Sequence, residues 1–260
     1  MKKVDELIEF WREFPFRDNV HPLDAAVMQG YHRRIAPTND SIGVEGFLQQ
    51  STRNGRFPPC NGPSLDLAPV PYMGDLKSAD IFLLMRNPVL GYEDYGTNSC
   101  AKFQNALLAN IQQTKQNTLC FALDPEFWWS SWFSYYERIL RAAVCKYSNK
   151  SSKTYLEALK TLAGRLAILE LAPYYSTDSD WLSSKANKLA STKKVKAAAD
   201  DLKQRAREGN ALVIVRWKAE MWGFQEADEI ECPNNICLVS GRQGLGLVSD
   251  RIIRFLTLEK

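Results

Sequence analysis

The hydrophobic positions of this chain change their period partway along it. Near the N-terminus Val4, Leu7, Ile8, Trp11 and Phe14 recur at helical spacing, and Pro15 stops the run. A second short helix is expected over 22–29, and residues 1–50 as a whole read as helical. Residues 51–72 are rich in Pro, Gly and Asn, the composition of an irregular surface connection. Beyond it the apolar residues gather into short continuous runs at 80–85, 118–121, 166–171, 211–215 and 236–239. Such runs predict strands buried on both faces. Helical patterns over 101–116, 127–147, the Lys-rich segment after residue 183, and 249–258 alternate with them.

Strands alternating with helices imply a three-layer αβα fold with a central, mostly parallel sheet of four to five strands. The expected division is an N-terminal helical extension and connection over residues 1–70, then an α/β domain over 71–260. In such sheets ligands bind at the carboxyl ends of the strands, so the residues just after each run are the first candidates. They include Arg86-Asn87-Pro88 with Glu93, Asp94 and Tyr95, then Glu170 with Tyr174, Tyr175 and Ser176. Arg216-Trp217 and Ser240-Gly241-Arg242-Gln243-Gly244-Leu245-Gly246-Leu247 complete the set. A pocket that stacks a planar ring and reads its edge needs these amides, carboxylates, aromatic rings and arginines.

Composition narrows the partners. The net charge of +3 hides a stripe between Ser183 and Glu208 with eight basic and three acidic residues, leaving the rest of the chain acidic. A phosphate-contacting surface has that character, with a solvated helix face as the plain alternative. Lys185 and Lys188 open this stripe. The six cysteines form no CxxC pair and only two histidines exist, so neither a metal site nor a cofactor is expected. No apolar stretch approaches a membrane span, and a cytoplasmic monomer is expected.

Pro71-Tyr72-Met73-Gly74-Asp75-Leu76, then Ala79-Asp80, an apolar strand and Asn87-Pro88, resembles the first motif of the uracil-DNA glycosylase superfamily. Leu169 to Tyr174 falls where that family has its base-reading strand end. Val213 to Trp217 resembles the strand before its last motif, and Ser240 to Leu247 falls at the last motif, which ends in a wedge residue. The similarity runs from Pro71 to the C-terminus. Departures are Arg86 and Val89 in place of glycines, a last motif without histidine or proline, and Glu170 where uracil-specific members have asparagine.

The resemblance implies a DNA glycosylase that hydrolyses the N-glycosidic bond of a flipped-out base in double-stranded DNA, leaving an abasic site. Asn87 would hold the water, with Asp94 or Glu93 as the base. Pro88, Glu170, Tyr174 and Tyr95 or Phe103 would grip the nucleobase, Phe103 being preferred for stacking. Leu245 or Leu247 would be the wedge, and Ser176, Arg216, Ser240, Arg242 and Gln243 would touch DNA. An ionised Glu170 would accept from an exocyclic amine such as cytosine N4 and repel an oxygen there, which points to a modified cytosine. Hypermodified phage DNA, such as glucosylated hydroxymethylcytosine met in antiviral defence, is one such substrate. The plainer reading of Glu170 is a salt bridge to Arg216, and Trp128, Trp129 and Trp132 read mainly as core. Two other functions stay open: a binding module that has lost catalysis, and ordinary uracil or mismatch repair.

Overall fold

The computed structural model describes residues 2–15, 18–29, 62–114, 119–176, 180–240 and 244–258. Four of the five apolar runs are strands: β2 (Ile81–Met85), β3 (Leu166–Glu170), β4 (Leu212–Arg216) and β5 (Ile236–Val239). They pair in parallel in the order β3-β2-β4-β5. A two-residue strand, β1 (Tyr72–Met73), lies antiparallel on the outer edge of β3 and makes the sheet mixed.

The remaining run, 118–121, is not a strand where it is described. Cys120 is fully buried but irregular, its N–H donates to the Ala163 carbonyl, and a 3-10 turn follows at Phe121–Leu123. Its apolar character reflects burial beneath helices, since the outer edge of β3 is already taken by β1.

That edge pairing explains the Gly74-Asp75 motif. Gly74 has φ +92°, and a Cβ there would stand 2.3 Å from the Leu166 carbonyl oxygen, so only glycine lets the chain turn against β3. The Asp75 carboxylate accepts from the N–H groups of Lys77 and Ser78, closing the next turn. Asp80 then pairs with Arg165 at the amino end of the sheet.

Helices cover both faces. The long ones are α1 (Lys2–Arg12), α4 (Ala101–Gln112), α5 (Ser131–Ser151), α6 (Tyr155–Ala163), α8 (Ala190–Arg207) and α10 (Ser249–Thr257). Short ones are α2 (Ala25–Met28), α3 (Tyr92–Ser99), α7 (Asp180–Lys185) and α9 (Glu226–Glu231). Arg205 of α8 lies over the Phe82 ring, whereas Tyr135 and Tyr136 of α5 hold Arg216 and Glu170. Because alternate strand residues face opposite ways, these contacts put α8 and α5 on opposite sides of the sheet.

The N-terminal segment is less separate than the 1–70 and 71–260 division implies. Val4, Leu7, Ile8 and Trp11 are almost fully buried in the same core as the sheet, with α1 packed on α8 and α4. Residues 30–61, which include part of the expected helical stretch and of the irregular connection, lie outside the described residues. No described helix is long and apolar enough to cross a membrane.

Candidate functional site

The chain moves outward from β2 to β3 on one side, then returns to lay β4 and β5 on the other. The loops leaving β2 and β4 therefore part in opposite directions, and the crevice of a doubly wound sheet opens between them. Met85 is level with Glu170, and Leu84 with Val215, so Arg216 falls in the row of Met85 and Glu170. Residues in one row of a parallel sheet face the same side. Glu170 and Arg216 thus flank Met85 at the carboxyl edge, under the first turns of α5.

The salt bridge expected between them is not made. Glu170, 2% exposed, accepts at Oε1 from the Tyr136 hydroxyl at 3.2 Å, and its Oε2 is buried without a partner. Arg216, 8% exposed, donates from Nη1 to the Tyr135 hydroxyl, and its Nε is likewise buried and unpartnered. The two tyrosine rings meet edge to face at 5.0 Å and receive one ionisable group each. Burial pushes the Glu170 carboxyl up to about 8, with the Tyr136 hydrogen bond pulling the other way.

Asn87 closes the loop after β2. Its Nδ2 donates to the carbonyls of Pro88 at 2.9 Å and Ser176 at 3.5 Å, and its Oδ1 accepts from Arg86 Nε at 3.5 Å. The Ser176 N–H returns a bond to the Pro88 carbonyl at 3.0 Å. These bonds stitch the β2 and β3 loops together and leave the amide oxygen as the acceptor through which Asn87 can hold a water.

Asp94, 4% exposed, caps its own helix: Oδ2 accepts from the Gly91 N–H at 2.6 Å and Oδ1 from Ser131 Oγ at 2.9 Å. Burial lifts its carboxyl to about 7, partly opposed by those two bonds. Asn98 donates to the Asp94 carbonyl and to the Tyr175 hydroxyl. Trp132 meets Tyr175 edge to face at 5.9 Å and stacks on Tyr136 at 6.1 Å. Asp94 and Glu170 are therefore joined by one continuous wall of buried polar aromatics. Glu93 is exposed, and its charge adds to the upward push on the Asp94 carboxyl.

Strain marks the other side of the crevice. Trp217 (φ 70°) and Lys218 (φ 44°) are consecutive non-glycine residues in the left-handed region, immediately after Arg216. The Arg216 guanidinium lies 5.7 Å from the Tyr135 ring and 5.9 Å from that of Trp217, which is 39% exposed.

Several expected roles do not survive the placement of the side chains. Phe103 is fully buried against Phe121 and Phe127 in the core, so it stacks on other rings and not on a ligand. Tyr174 is buried with Met28 and Trp181, its hydroxyl donating to Asp24 and accepting from the His21 N–H. Ser176 is buried and donates to the Gly62 carbonyl, and buried Arg216 is turned to Tyr135; neither is a surface contact for DNA. Leu245 is core, leaving Leu247, 72% exposed, as the wedge candidate.

Tyr95 is half-buried with its hydroxyl near Ser64, Pro88 is buried in the stitched loop, and Ser240, Lys185 and Lys188 are exposed. Arg242 and Gln243 lie outside the described residues. Trp128 and Trp129 precede α5 and are exposed, so of the three tryptophans only Trp132 is core.

The basic stripe also resolves differently. Lys203 and Arg207 pair with Asp228, Arg205 donates to the Ala79 carbonyl beside the amino end of β2, and Lys194 pairs with Glu6. Its C-terminal half stands at the end of the sheet opposite the crevice.

Tyr135, Tyr136 and Ser131 were invisible as site residues in the sequence. The only hint was an aromatic-rich helix, and one-dimensional pattern does not tell which of its rings meet a strand end. Among the described residues no cluster of three or more His, Cys, Asp or Glu side chains has metal-binding proximity. No family model matches the chain, and no curated protein or solved structure matches it either.

Proposed function

We propose that this protein is a DNA glycosylase acting on an extruded modified base at the carboxyl edge of its sheet. The observation that carries the reading is the pair of buried, unpartnered polar atoms, Glu170 Oε2 and Arg216 Nε, in one row beside the Asn87-Pro88 loop. Each such atom costs roughly 1–3 kcal/mol of unrecovered desolvation, so a fold that keeps two together is poised for a ligand with a polar edge. The surrounding tyrosines and Trp132 suit a planar one.

Hydrolysis needs a placed water, a base and a stabilised leaving group. Asn87 Oδ1 orients the water. Asp94 accepts its proton, since a carboxyl lifted to about 7 is a competent base near neutral pH. Arg216 supplies positive charge toward the departing base. Leu247 fills the stack the base has left, and Lys185 and Lys188 lie on exposed surface available to phosphate. The rival reading, a DNA-binding module without hydrolysis, draws on the fact that both Asp94 oxygens already accept hydrogen bonds, one from the Gly91 N–H and one from Ser131 Oγ.

Abasic-site formation on duplexes containing uracil, methylcytosine, hydroxymethylcytosine or glucosylated hydroxymethylcytosine decides between them. The expected result is abasic sites on at least one duplex and a loss of roughly 100-fold or more in Asn87→Ala. An Asn87→Ala protein that cuts at the parental rate removes the role given to that residue, and binding without cutting on every duplex favours the module.

A further inference from the structure

Glu170 occupies a place where its charge would have nothing to balance it. Among the described residues, the groups around it are Tyr135 and Tyr136 from α5 and Tyr175 from the loop after β3, with Cys120 interacting with Tyr136 and Arg216 of β4 two strands away in the same row. Asp94 reaches the same wall through Tyr175. Burial raises all three tyrosine hydroxyls and pushes the Cys120 thiol up to about 12, so these stay neutral near physiological pH. Among the described residues the cation in its row, Arg216, bonds to Tyr135 and makes no ion pair with the carboxyl. An unpaired carboxylate in such surroundings is far costlier than the neutral acid.

Resting on the glycosylase reading above, we propose that Glu170 meets its base as a neutral acid. It donates from Oε2 to an acceptor on the base edge, an exocyclic oxygen or a ring nitrogen, and turns to amino-bearing edges only on losing that proton. In this proposal the Tyr136 hydroxyl donates to Oε1, and the proton sits on Oε2, the oxygen with no partner in the fold. Below the carboxyl's titration Oε2 is a donor, so an oxo group opposite it is bound and an amine is repelled. Above it Oε2 is only an acceptor and the preference reverses. The amino preference expected of an ionised Glu170 therefore belongs to the alkaline side alone.

The test is equilibrium binding by the full chain of duplexes carrying one 2′-fluoro-deoxyuridine or one 2′-fluoro-deoxycytidine, whose sugar bonds resist hydrolysis. Measurements at about pH 6.5 and about pH 9 bracket the carboxyl. The preference for uracil over cytosine is expected to fall about tenfold between them, and to be the same at both in Glu170→Gln, whose amide donates at every pH. A flat ratio in the parent overturns the proposal, as does failure to bind either duplex. A shift that persists in Glu170→Gln also overturns it, because it then belongs to Asp94 or to the base itself. Infrared difference spectra between the two pH values give a second readout: the loss of an acid carbonyl must persist in Asp94→Asn, whose other buried carboxyl is gone, and be absent in Glu170→Gln. A shifting ratio without abasic sites on any duplex removes hydrolysis and leaves this inference standing.

Discussion

Two carboxyl groups set the behaviour of the site, and both are held away from their ordinary values by burial. For Asp94, on the proposed glycosylase reading, the consequence is catalytic. The base form is the ionised one, so abasic-site formation is expected to rise as pH climbs through about 7 and level off above it. In Asp94→Asn that rise should vanish along with most of the rate. A parental pH profile in the variant would move the base elsewhere. For Glu170 the consequence is also one of stability. Its folded value of about 8 lies above the ordinary range of a free carboxyl, so the folded protein holds a proton that the unfolded chain releases. Its contribution is therefore fully favourable only in acid and declines as pH rises from about 4 to about 8. Glu170→Gln removes that decline. Denaturant unfolding should give similar stabilities near pH 5, with the variant ahead by up to about 4 kcal/mol above pH 8. A gap that does not widen would mean that the carboxyl is charged when folded.

At the scale of elements, the crevice is made by loops whose conformation costs something. Trp217 and Lys218 both hold positive φ where β4 ends, while the Arg216 carbonyl end of the strand feeds the turn. Such backbone costs of order 1 kcal/mol or more per residue persist where surrounding structure imposes them, commonly at ligand sites. Lys218→Gly relieves one of the two and gives up an exposed 3.4 Å contact to Ser183. A gain of about 0.5–1 kcal/mol in chemical denaturation is expected. A loss instead would show that the lysine side chain, and not the backbone, fixes the turn. The opposite loops need no strain: the Asn87 amide and the Ser176 backbone stitch β2 to β3 with ordinary bonds.

At the scale of the whole molecule, α1 is part of the core that supports the site, not an appendage to it. Trp11 is fully buried, and α8, on which α1 rests, is tied to the site end of the sheet by Thr192 Oγ1 donating to the Leu171 carbonyl. Asp24 adds a cap on the Ser191 N–H and accepts from Tyr174. Trp11→Ala should cost about 3–5 kcal/mol in a single unfolding transition. A cost below about 1 kcal/mol, or a separate early transition, would make the N-terminal segment an independent unit.

The sequence by itself determined the class of fold. Continuous apolar runs become strands buried on both faces because a covered parallel sheet offers no solvent side, and helical periodicity between them supplies the covers. It also placed Asn87, Glu170 and Arg216 at strand ends, since a strand end is where an apolar run stops. What it did not determine is every pairing that depends on distance across the sheet. The run at 118–121 carries the same apolar signal as a strand but is buried beneath helices, with β1 and not this run on the outer edge of β3. Glu170 and Arg216 are suitable partners by charge, yet β2 separates their strands and tertiary packing gives each a tyrosine hydroxyl instead. Phe103, Tyr174 and Leu245 are as apolar in sequence as any site residue, and only the packing of α4, α2 and α10 around them assigns them to the core. Periodicity reports which residues avoid water; only the folded chain decides which of them meet one another, and which buried polar atoms are left waiting for a partner.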